Sequence, residues 1–86
     1  MGEAKGRTMQ FIYVLKSEKD KKFYVGCTSD IEKGLKMHND GLVRSTKARR
    51  PFELVFQEGY NDKYIAFEKE RFYKTAKGKK ELLGKI

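Results

Sequence analysis

Few side chains in this 86-residue sequence are suited to chemistry. Two tyrosines, Tyr13 and Tyr24, lie in apolar runs, His38 is the single histidine, and Glu70 lies in a stretch with helical spacing. A tyrosine is a poor base at its usual pKa of about 10, so it needs a metal ion or a neighbouring cation before it can accept a proton. Taken alone, strand tyrosines and a lone helix histidine more often belong to a packed core. The elements that position these residues therefore decide their interpretation.

Composition excludes several classes of protein. One histidine and one cysteine are too few for a zinc finger or a thiol-protease site, and the phosphate-binding pattern G-x-x-x-x-G-K-[ST] is absent. No run approaches the roughly 18 apolar residues of a membrane span, so no membrane association is expected. Cys27 cannot form an internal disulfide, which predicts a reducing, cytoplasmic location. The length predicts a single domain at residues 10–86, with residues 1–9 as a leader or tail.

Positive charge is concentrated in two segments. The chain carries 20 Lys and Arg against 12 Asp and Glu, a formal net charge of +8. Residues 44–50 hold a net +4 and residues 69–86 a net +5. Localised positive charge favours an anionic partner, with nucleic acid the first candidate, although a charged surface that only aids solubility explains the composition about as well. The predicted nucleic-acid contacts are Arg44, Lys47, Arg49, Arg50, Lys74, Lys77, Lys79 and Lys80.

Three apolar runs predict β-strands: QFIYVL at 10–15, FYVGC at 23–27 and FELVFQE at 52–58. The first run has apolar side chains on both faces of the strand, which predicts that both faces are buried. A charged loop separates it from the second run, so the two predict a hairpin. In the third run Phe52, Leu54 and Phe56 alternate, which predicts that one face of this strand is less buried than in the first strand.

The segment TSDIEKGLKMHNDG predicts a first helix at about residues 30–39. Ser29 and Glu32 have the spacing of a capping box at its start. Gly41 suits the left-handed residue that commonly follows a helix end. Gly34 lies in the middle of the helix, where glycine costs about 1 kcal/mol relative to alanine, so this position needs an explanation.

A second helix is predicted at about residues 63–76, with Asn61 or Asp62 as its cap. Gly78 is expected to interrupt it before a short last helix in KKELL at 79–83. The element order β-β-α-β-α-(α) predicts the α+β class. The expected architecture is a small three-stranded, mostly antiparallel sheet flanked by helices.

Four segments, taken in order, resemble the GIY-YIG nuclease superfamily. FIY and YVG, about ten residues apart, resemble its paired signature, and TSDIEKGLKMHNDG resembles its first helix. STKARRPFELVFQE and AFEKERFYKTAKGKK resemble the loop with the third strand and the second helix of its small single-domain bacterial members. Those members are similar to the N-terminal catalytic domain of an excision-repair nuclease, so the resemblance implies DNA repair chemistry. It spans roughly residues 10–83.

The resemblance implies an endonuclease that cleaves DNA phosphodiesters with one divalent ion, Mg²⁺ or Mn²⁺. Glu70 matches the carboxylate that holds the metal, because it follows Ala66 with the family's A-x-x-x-E spacing. A single carboxylate can anchor Mg²⁺ when phosphate oxygens and water complete the shell. Tyr24 matches the tyrosine that helps to deprotonate the attacking water, and Tyr13 the one that orients the water or the phosphate. His38 matches the helix histidine, a phosphate donor or proton carrier.

The sequence departs from the family pattern at the first helix. The family carries an arginine there that stabilises charge on the phosphate, and this chain has Gly34 at that position. Loss of a preorganised cation beside developing charge typically costs about 10² to 10³ in rate. A naturally degenerate member and an engineered change both explain the glycine. Phe11 also replaces the first-motif glycine, which is a milder departure.

The resemblance therefore implies a DNA endonuclease domain that is weakened or inactive. The alternative is a catalytically silent nucleic-acid-binding module that uses the same basic surface, with DNA favoured over RNA because no aromatic pair of the RNP type is present. A third hypothesis is a small structural or partner-binding protein whose charge only aids solubility. A domain of this size is expected to act beside a partner protein or as a homodimer.

Overall fold

The computed structural model describes residues 9–86, so the predicted leader at residues 1–9 lies outside the described residues except for Met9. The element order confirms the predicted β-β-α-β-α-α arrangement of the α+β class. None of the helices within residues 9–86 is long and apolar enough to cross a membrane. In chain order the elements are β1 (Gln10–Ser17), β2 (Phe23–Thr28), α1 (Ile31–Asn39), a 3₁₀ turn (Lys47–Arg49), β3 (Phe52–Tyr60), α2 (Lys63–Tyr73) and α3 (Ala76–Leu83).

Strand β1 is the middle strand of a three-stranded antiparallel sheet with the order β2-β1-β3. Its residues Ile12, Val14 and Leu15 are fully buried, as the continuous apolar run predicts. Helix α1 packs on the face that carries Leu15, and helices α2 and α3 pack on the face that carries Ile12 and Val14. Burying each of these side chains contributes about 1.5–3 kcal/mol, so the middle strand anchors both layers of helices.

A β-bulge in β3 changes which face its apolar residues meet. Val14 lies opposite Phe56 but Leu15 lies opposite Leu54, which leaves Val55 as the extra residue. Leu54 packs on the α1 side of the sheet, whereas Phe56 packs on the α2–α3 side. The alternation of Phe52, Leu54 and Phe56 in the sequence therefore does not place all three on one face, because the bulge inserts one residue into the two-residue period.

Helix α1 begins at a different cap from the predicted one. The Asp30 side chain accepts the backbone N–H of Lys33, so Asp30 is the N-cap, and the predicted capping box of Ser29 with Glu32 is wrong. An aspartate and a serine cap equally well, and here the aspartate lies one residue nearer the first turn. The helix end is as predicted, because Gly41 has a φ of +79°.

The last residue of α1, Asn39, connects the helix to β3. Its side-chain amide donates to the carbonyl of Phe52 at 3.0 Å and accepts the backbone N–H of Phe52 at 2.7 Å. These two hydrogen bonds satisfy both the N–H and the carbonyl of Phe52, the first residue of the edge strand β3. Asn39 therefore fixes the distance between the end of α1 and the sheet.

The chain breaks between α2 and α3 at Thr75 rather than at Gly78. Asp62 caps α2 through the N–H of Tyr64, and Thr75 caps α3 by accepting the N–H of Gly78. Gly78 lies inside α3 and is buried, so the prediction that it interrupts the helix is wrong. A Cβ atom at this position would overlap the carbonyl group of Phe72. Glycine is therefore needed for the close approach of the two helices.

The two helical glycines give opposite stability predictions. A Cβ at Gly34 would meet the side chain of Thr28 at 3.6–3.8 Å, which is ordinary contact. Gly34→Ala should therefore raise the free energy of unfolding by about 1 kcal/mol. Gly78→Ala should lower it by about 1–3 kcal/mol because of the overlap with Phe72. Urea unfolding of both variants checks this, and destabilisation by Gly34→Ala would contradict the open space beside Thr28.

Candidate active site

Three of the four residues predicted for catalysis form a compact aromatic cluster on the face of the sheet that α1 covers. The ring centroids of Tyr13 and Tyr24 are 6.3 Å apart, and the His38 ring lies 5.9 Å from Tyr13 and 4.7 Å from Tyr24. The two tyrosines come from paired strands β1 and β2, and α1 supplies the histidine. Tyr13 and His38 are buried, while Tyr24 is half-buried. Tyr24 is therefore the member of the cluster that is more open to a ligand.

The position of the Tyr13 ring depends on Gly26. These two residues are cross-strand partners, and a Cβ atom at Gly26 would lie 2.6 Å from the Tyr13 ring and hydroxyl. The ring therefore lies over a backbone that carries no side chain. The glycine serves this close approach and does not end the strand, since β2 continues beyond it to Thr28.

A buried hydrogen-bond chain holds His38 in one tautomer. His38 Nε2 lies 3.0 Å from the Tyr13 hydroxyl, and His38 Nδ1 lies 2.8 Å from Thr46 Oγ1. Thr46 Oγ1 also donates to the carbonyl of Val43 at 3.3 Å, and a carbonyl can only accept. The single hydroxyl proton of Thr46 is thus used, so His38 Nδ1–H donates to Thr46 and Nε2 accepts from Tyr13. The histidine is neutral in this arrangement.

The pKa shifts of the cluster agree with this proton arrangement. Burial lowers the pKa of His38 below its usual 6.5, which favours the neutral ring. Burial, followed by the charges of Tyr24 and Glu70, raises the pKa of Tyr13 to about 12. Tyr13 therefore keeps its proton at neutral pH. It acts as a hydrogen-bond donor in this site, which suits an orienting role better than that of a base.

The fourth residue, Glu70, lies on α2, one helical turn after the buried Ala66. Its negative charge raises the pKa of Tyr13, and after burial it is the next cause that raises the pKa of Cys27, so the carboxylate lies near both. The Lys74 ammonium donates to Glu70 Oε2 at 3.0 Å, and 22% of the Glu70 side chain is exposed. Glu70 thus comes from the helix layer that packs on the other face of the sheet from the aromatic cluster, and its charge acts on Tyr13 and Cys27.

The donor set around Glu70 suits a metal ion that binds together with a substrate. Residues 9–86 hold no group of three or more His, Cys, Asp and Glu side chains that could enclose an ion. Mg²⁺ is commonly bound by one or two carboxylates, with waters and substrate phosphates as the remaining ligands. Glu70 fits this pattern as a single carboxylate, and it does not fit a preformed all-protein site.

Gly34 lies on the side of α1 that faces the sheet. It is one turn before His38, and its nearest neighbour in space is the side chain of Thr28 on β2. Residues four apart on a helix share a face, so a side chain at position 34 would start on the same side as His38. The ordinary contact distance to Thr28 leaves space for it.

The eight predicted nucleic-acid contacts do not form one uniform surface. Arg49 is half-buried, its Nε donates to Asp20 at 2.8 Å, and its guanidinium lies 5.4 Å from the centre of the Phe52 ring. Hydrogen bonds from Arg49 lower the pKa of Asp20 to about 2. Lys74 forms the ion pair with Glu70. The other six members are all exposed: Arg44, Lys47, Arg50, Lys77, Lys79 and Lys80.

Sequence reasoning missed Thr46, the fully buried residue that orients His38. It lies in the basic segment, where charge is the visible signal, and a threonine eight residues after a histidine has no characteristic spacing. Ser17 was also missed, because it lies in a charged segment, where charge is again the visible signal. It is fully buried, and its hydroxyl donates to the carbonyl of Arg49 at 2.6 Å.

Comparison with known proteins identifies the family and the fold. A family profile described as the GIY-YIG catalytic domain matches residues 9–82. The UPF0213 protein YazA of Bacillus subtilis is 43% identical over 74 residues, which are 85% of this chain and 74% of that protein. The UPF0213 protein SSP2268 of Staphylococcus saprophyticus is 41% identical over 73 residues, 84% of this chain and 88% of that protein.

A solved structure shares the fold. The solution NMR structure of the UPF0213 protein BH0048 from Bacillus halodurans has a TM-score of 0.56 and 28% sequence identity to this chain. The match covers 88% of this chain and 83% of that one. These findings confirm the resemblance drawn from the four sequence segments. The chain belongs to the GIY-YIG family of nuclease-type domains and is similar to its small UPF0213 members.

Proposed function

We propose that this domain acts on DNA phosphodiesters as a GIY-YIG endonuclease with one Mg²⁺ or Mn²⁺ ion, and that Gly34 makes its activity weak or absent. The observation that carries the proposal is the contact of Tyr13, Tyr24 and His38 in one aromatic cluster, and α2 supplies the single carboxylate Glu70. Each residue type has a use in phosphodiester hydrolysis, and the family supplies the reaction class.

Each side chain has a distinct role in this proposal. Tyr13 donates its proton and orients the phosphate or the attacking water, while His38 holds the Tyr13 hydroxyl in place. Tyr24 is the more open phenol. After it gives its own proton to solvent, the phenolate would accept a proton from the water. Glu70 would hold the ion, which when bound polarises the phosphate and lowers the pKa of the water. The Lys74 ammonium then moves from Glu70 to the phosphate.

The weak point of the site is the absence of a cation on the inner face of α1. Lys33 and Lys36 flank Gly34 but are both exposed on the outer side of the helix. Lys36 also forms an ion pair with Asp40 at 2.7 Å. Neither lysine substitutes for a cation at position 34, so transition-state charge on the phosphate lacks a preorganised partner.

A second candidate function is a nucleic-acid-binding module without catalysis. Gly34 favours it, because the fold and the exposed cations are retained while the inner face of α1 carries no charge. DNA is the preferred partner in both proposals, and a homodimer or a partner protein would enlarge the small contact surface. The single free thiol of Cys27 favours a reducing, cytoplasmic compartment for either function.

Restoring the cation at position 34 tests the catalytic proposal. Gly34→Arg should increase Mg²⁺- or Mn²⁺-dependent cleavage of branched or plasmid DNA by about 10² or more, because the side chain starts beside His38. The matched control is Gly34→Arg combined with Glu70→Gln, which should return cleavage to background. Gly34→Ala controls for helix stability and should not increase cleavage.

The result separates the two candidate functions. Cleavage by the Gly34→Arg variant that depends on Glu70 supports the endonuclease. If that variant binds DNA but cuts none with either ion, the catalytic assignment is wrong and the binding module remains. If it neither binds nor cuts, both functions are rejected.

Thr46 is expected to be a positioning residue for His38. Thr46→Val keeps the shape but removes the acceptor for Nδ1–H, so the free energy of unfolding should fall by about 1–3 kcal/mol. The ring should also lose its single tautomer, which ¹⁵N chemical shifts of the imidazole report. Thr46→Ser keeps the hydroxyl and should preserve the tautomer. An unchanged tautomer in Thr46→Val would contradict the hydrogen-bond chain.

The buried neutral His38 predicts a pH dependence of stability. Its folded pKa is lowered below 6.5, so between these two values the unfolded chain binds more protons than the folded one. Stability should therefore decline as the pH falls below about 6.5, in a step that is absent from His38→Gln. Urea unfolding between about pH 7.5 and 5 measures the difference. Parallel curves for the two proteins would show that His38 is not buried as the neutral form.

A further inference from the structure

An open cavity of about 490 Å³ lies at the end of the sheet where β1 ends and β2 begins. Its cations come from three separate parts of the chain, namely the β1–β2 turn, the basic loop and α3. None of the lining residues, all within the described range, is acidic. Folding therefore brings together positive charges that lie far apart along the chain. The lining side chains are Lys21, Lys22, Phe23, Arg49, Lys79 and Leu83.

Hydrogen bonds around Ser17 fix the turn that supplies two of these cations. The Ser17 hydroxyl accepts two N–H groups of the turn at 3.1 Å and donates to the carbonyl of Arg49. The backbone of Ser17 pairs with Lys21 and Lys22, each at 2.9 Å. Asp20 adds the ion pair to Arg49. The turn and the basic loop thus form one unit, whose backbone is held in place before any ligand binds.

Lys21 occupies a backbone position that favours glycine. Its φ is +63°, in the left-handed region that residues with a side chain rarely adopt. A glycine would satisfy the turn at lower conformational cost. The turn nonetheless carries a lysine, whose ammonium group adds to the charge around the cavity.

We propose that this cavity binds a backbone phosphate of a nucleic acid strand, so that the β1–β2 turn is part of the nucleic-acid interface. The inference deepens the proposed function and rests on its choice of nucleic acid as partner. Converging cations repel one another, and a phosphate removes that repulsion. Lysine ammonium groups suit phosphate as compact point charges. Phe23 and Leu83 add apolar surface for the sugar.

The spacing between the cavity and the aromatic cluster suits one continuous strand. Tyr13 and Ser17 are four residues apart on β1, about 13 Å at the rise of a β-strand. Phosphates on one strand of a duplex advance about 3.4 Å along its axis. The cavity would therefore contact a phosphate about four nucleotides from the one beside Tyr13.

Charge removal at the cavity tests the proposal. The variants are Lys21→Gly, Lys22→Gln and Lys79→Gln, and the matched control is Lys36→Gln on the outer face of α1, where 74% of the side chain is exposed. Binding to a short fluorescein-labelled duplex is measured by anisotropy between about 50 and 200 mM KCl. Each cavity variant should weaken binding several-fold at low salt. Each should also reduce the slope of log K against log salt by about 0.9, whereas the control should not.

Lys21→Gly guards against unfolding as the cause of weaker binding. The glycine relieves the left-handed backbone, so its Tm should equal or exceed that of the unaltered protein while its affinity falls. If the unaltered protein binds the duplex but the three variants behave like Lys36→Gln, the cavity proposal is overturned and the proposed function stands.

Inorganic phosphate separates the remaining outcomes. It is titrated into the unaltered protein at an ionic strength matched with chloride, and amide NMR shifts are followed at Lys21, Lys22 and Lys79. If the duplex does not bind, the nucleic-acid part of the proposed function fails. Shifts confined to these residues would then retain the cavity as a phosphate site, and their absence would overturn the cavity proposal as well.

Discussion

His38 can remain in the core only while both of its ring nitrogens have partners. An unpaired buried polar group costs about 1–3 kcal/mol, and Tyr13 from β1 and Thr46 from the loop before β3 prevent that cost. The same requirement fixes three parts of the chain relative to one another. Asn39, the next residue of α1, adds a second connection through the backbone of Phe52. A loop with little regular structure is thereby held beside the aromatic cluster.

This constraint explains why the site is more rigid than a surface cluster of the same residues. Tyr13 donates to His38, and His38 donates to Thr46. Thr46 in turn donates to the carbonyl of Val43, which can only accept. Within residues 9–86 every buried side-chain nitrogen and oxygen has a hydrogen-bond partner. The open positions of the site are thus the half-buried Tyr24 and Glu70, the two side chains to which the water and the metal ion are assigned.

The sequence was sufficient for features that depend on local pattern. The apolar runs predicted the strands, and the segment TSDIEKGLKMHNDG predicted α1, whose inner face carries Ile31, Leu35 and His38. Features that depend on contacts between distant segments were missed. The bulge at Val55 breaks an alternation that looks regular in sequence, and Gly78 is explained only by the closeness of two helices.

Predicting the site from sequence had the same limit. Tyr13, Tyr24, His38 and Glu70 stand in recognisable motifs, so they could be named before the fold was known. Thr46 could not, because its role comes from a contact across eight residues of irregular chain. Charge was also only partly predictable. Two of the eight basic residues are used in ion pairs, with Asp20 and with Glu70, and the cations of the β1–β2 turn gain their neighbours through folding.

The fit of the Tyr13 ring over Gly26 has a consequence for how this site can change over evolutionary time. A side chain at position 26 would collide with the phenol, and the phenol is also the hydrogen-bond partner of His38. The two positions are therefore energetically coupled, and their substitutions do not add. A larger residue at position 26 therefore requires either a smaller residue 13 or a phenol ring that moves away from His38.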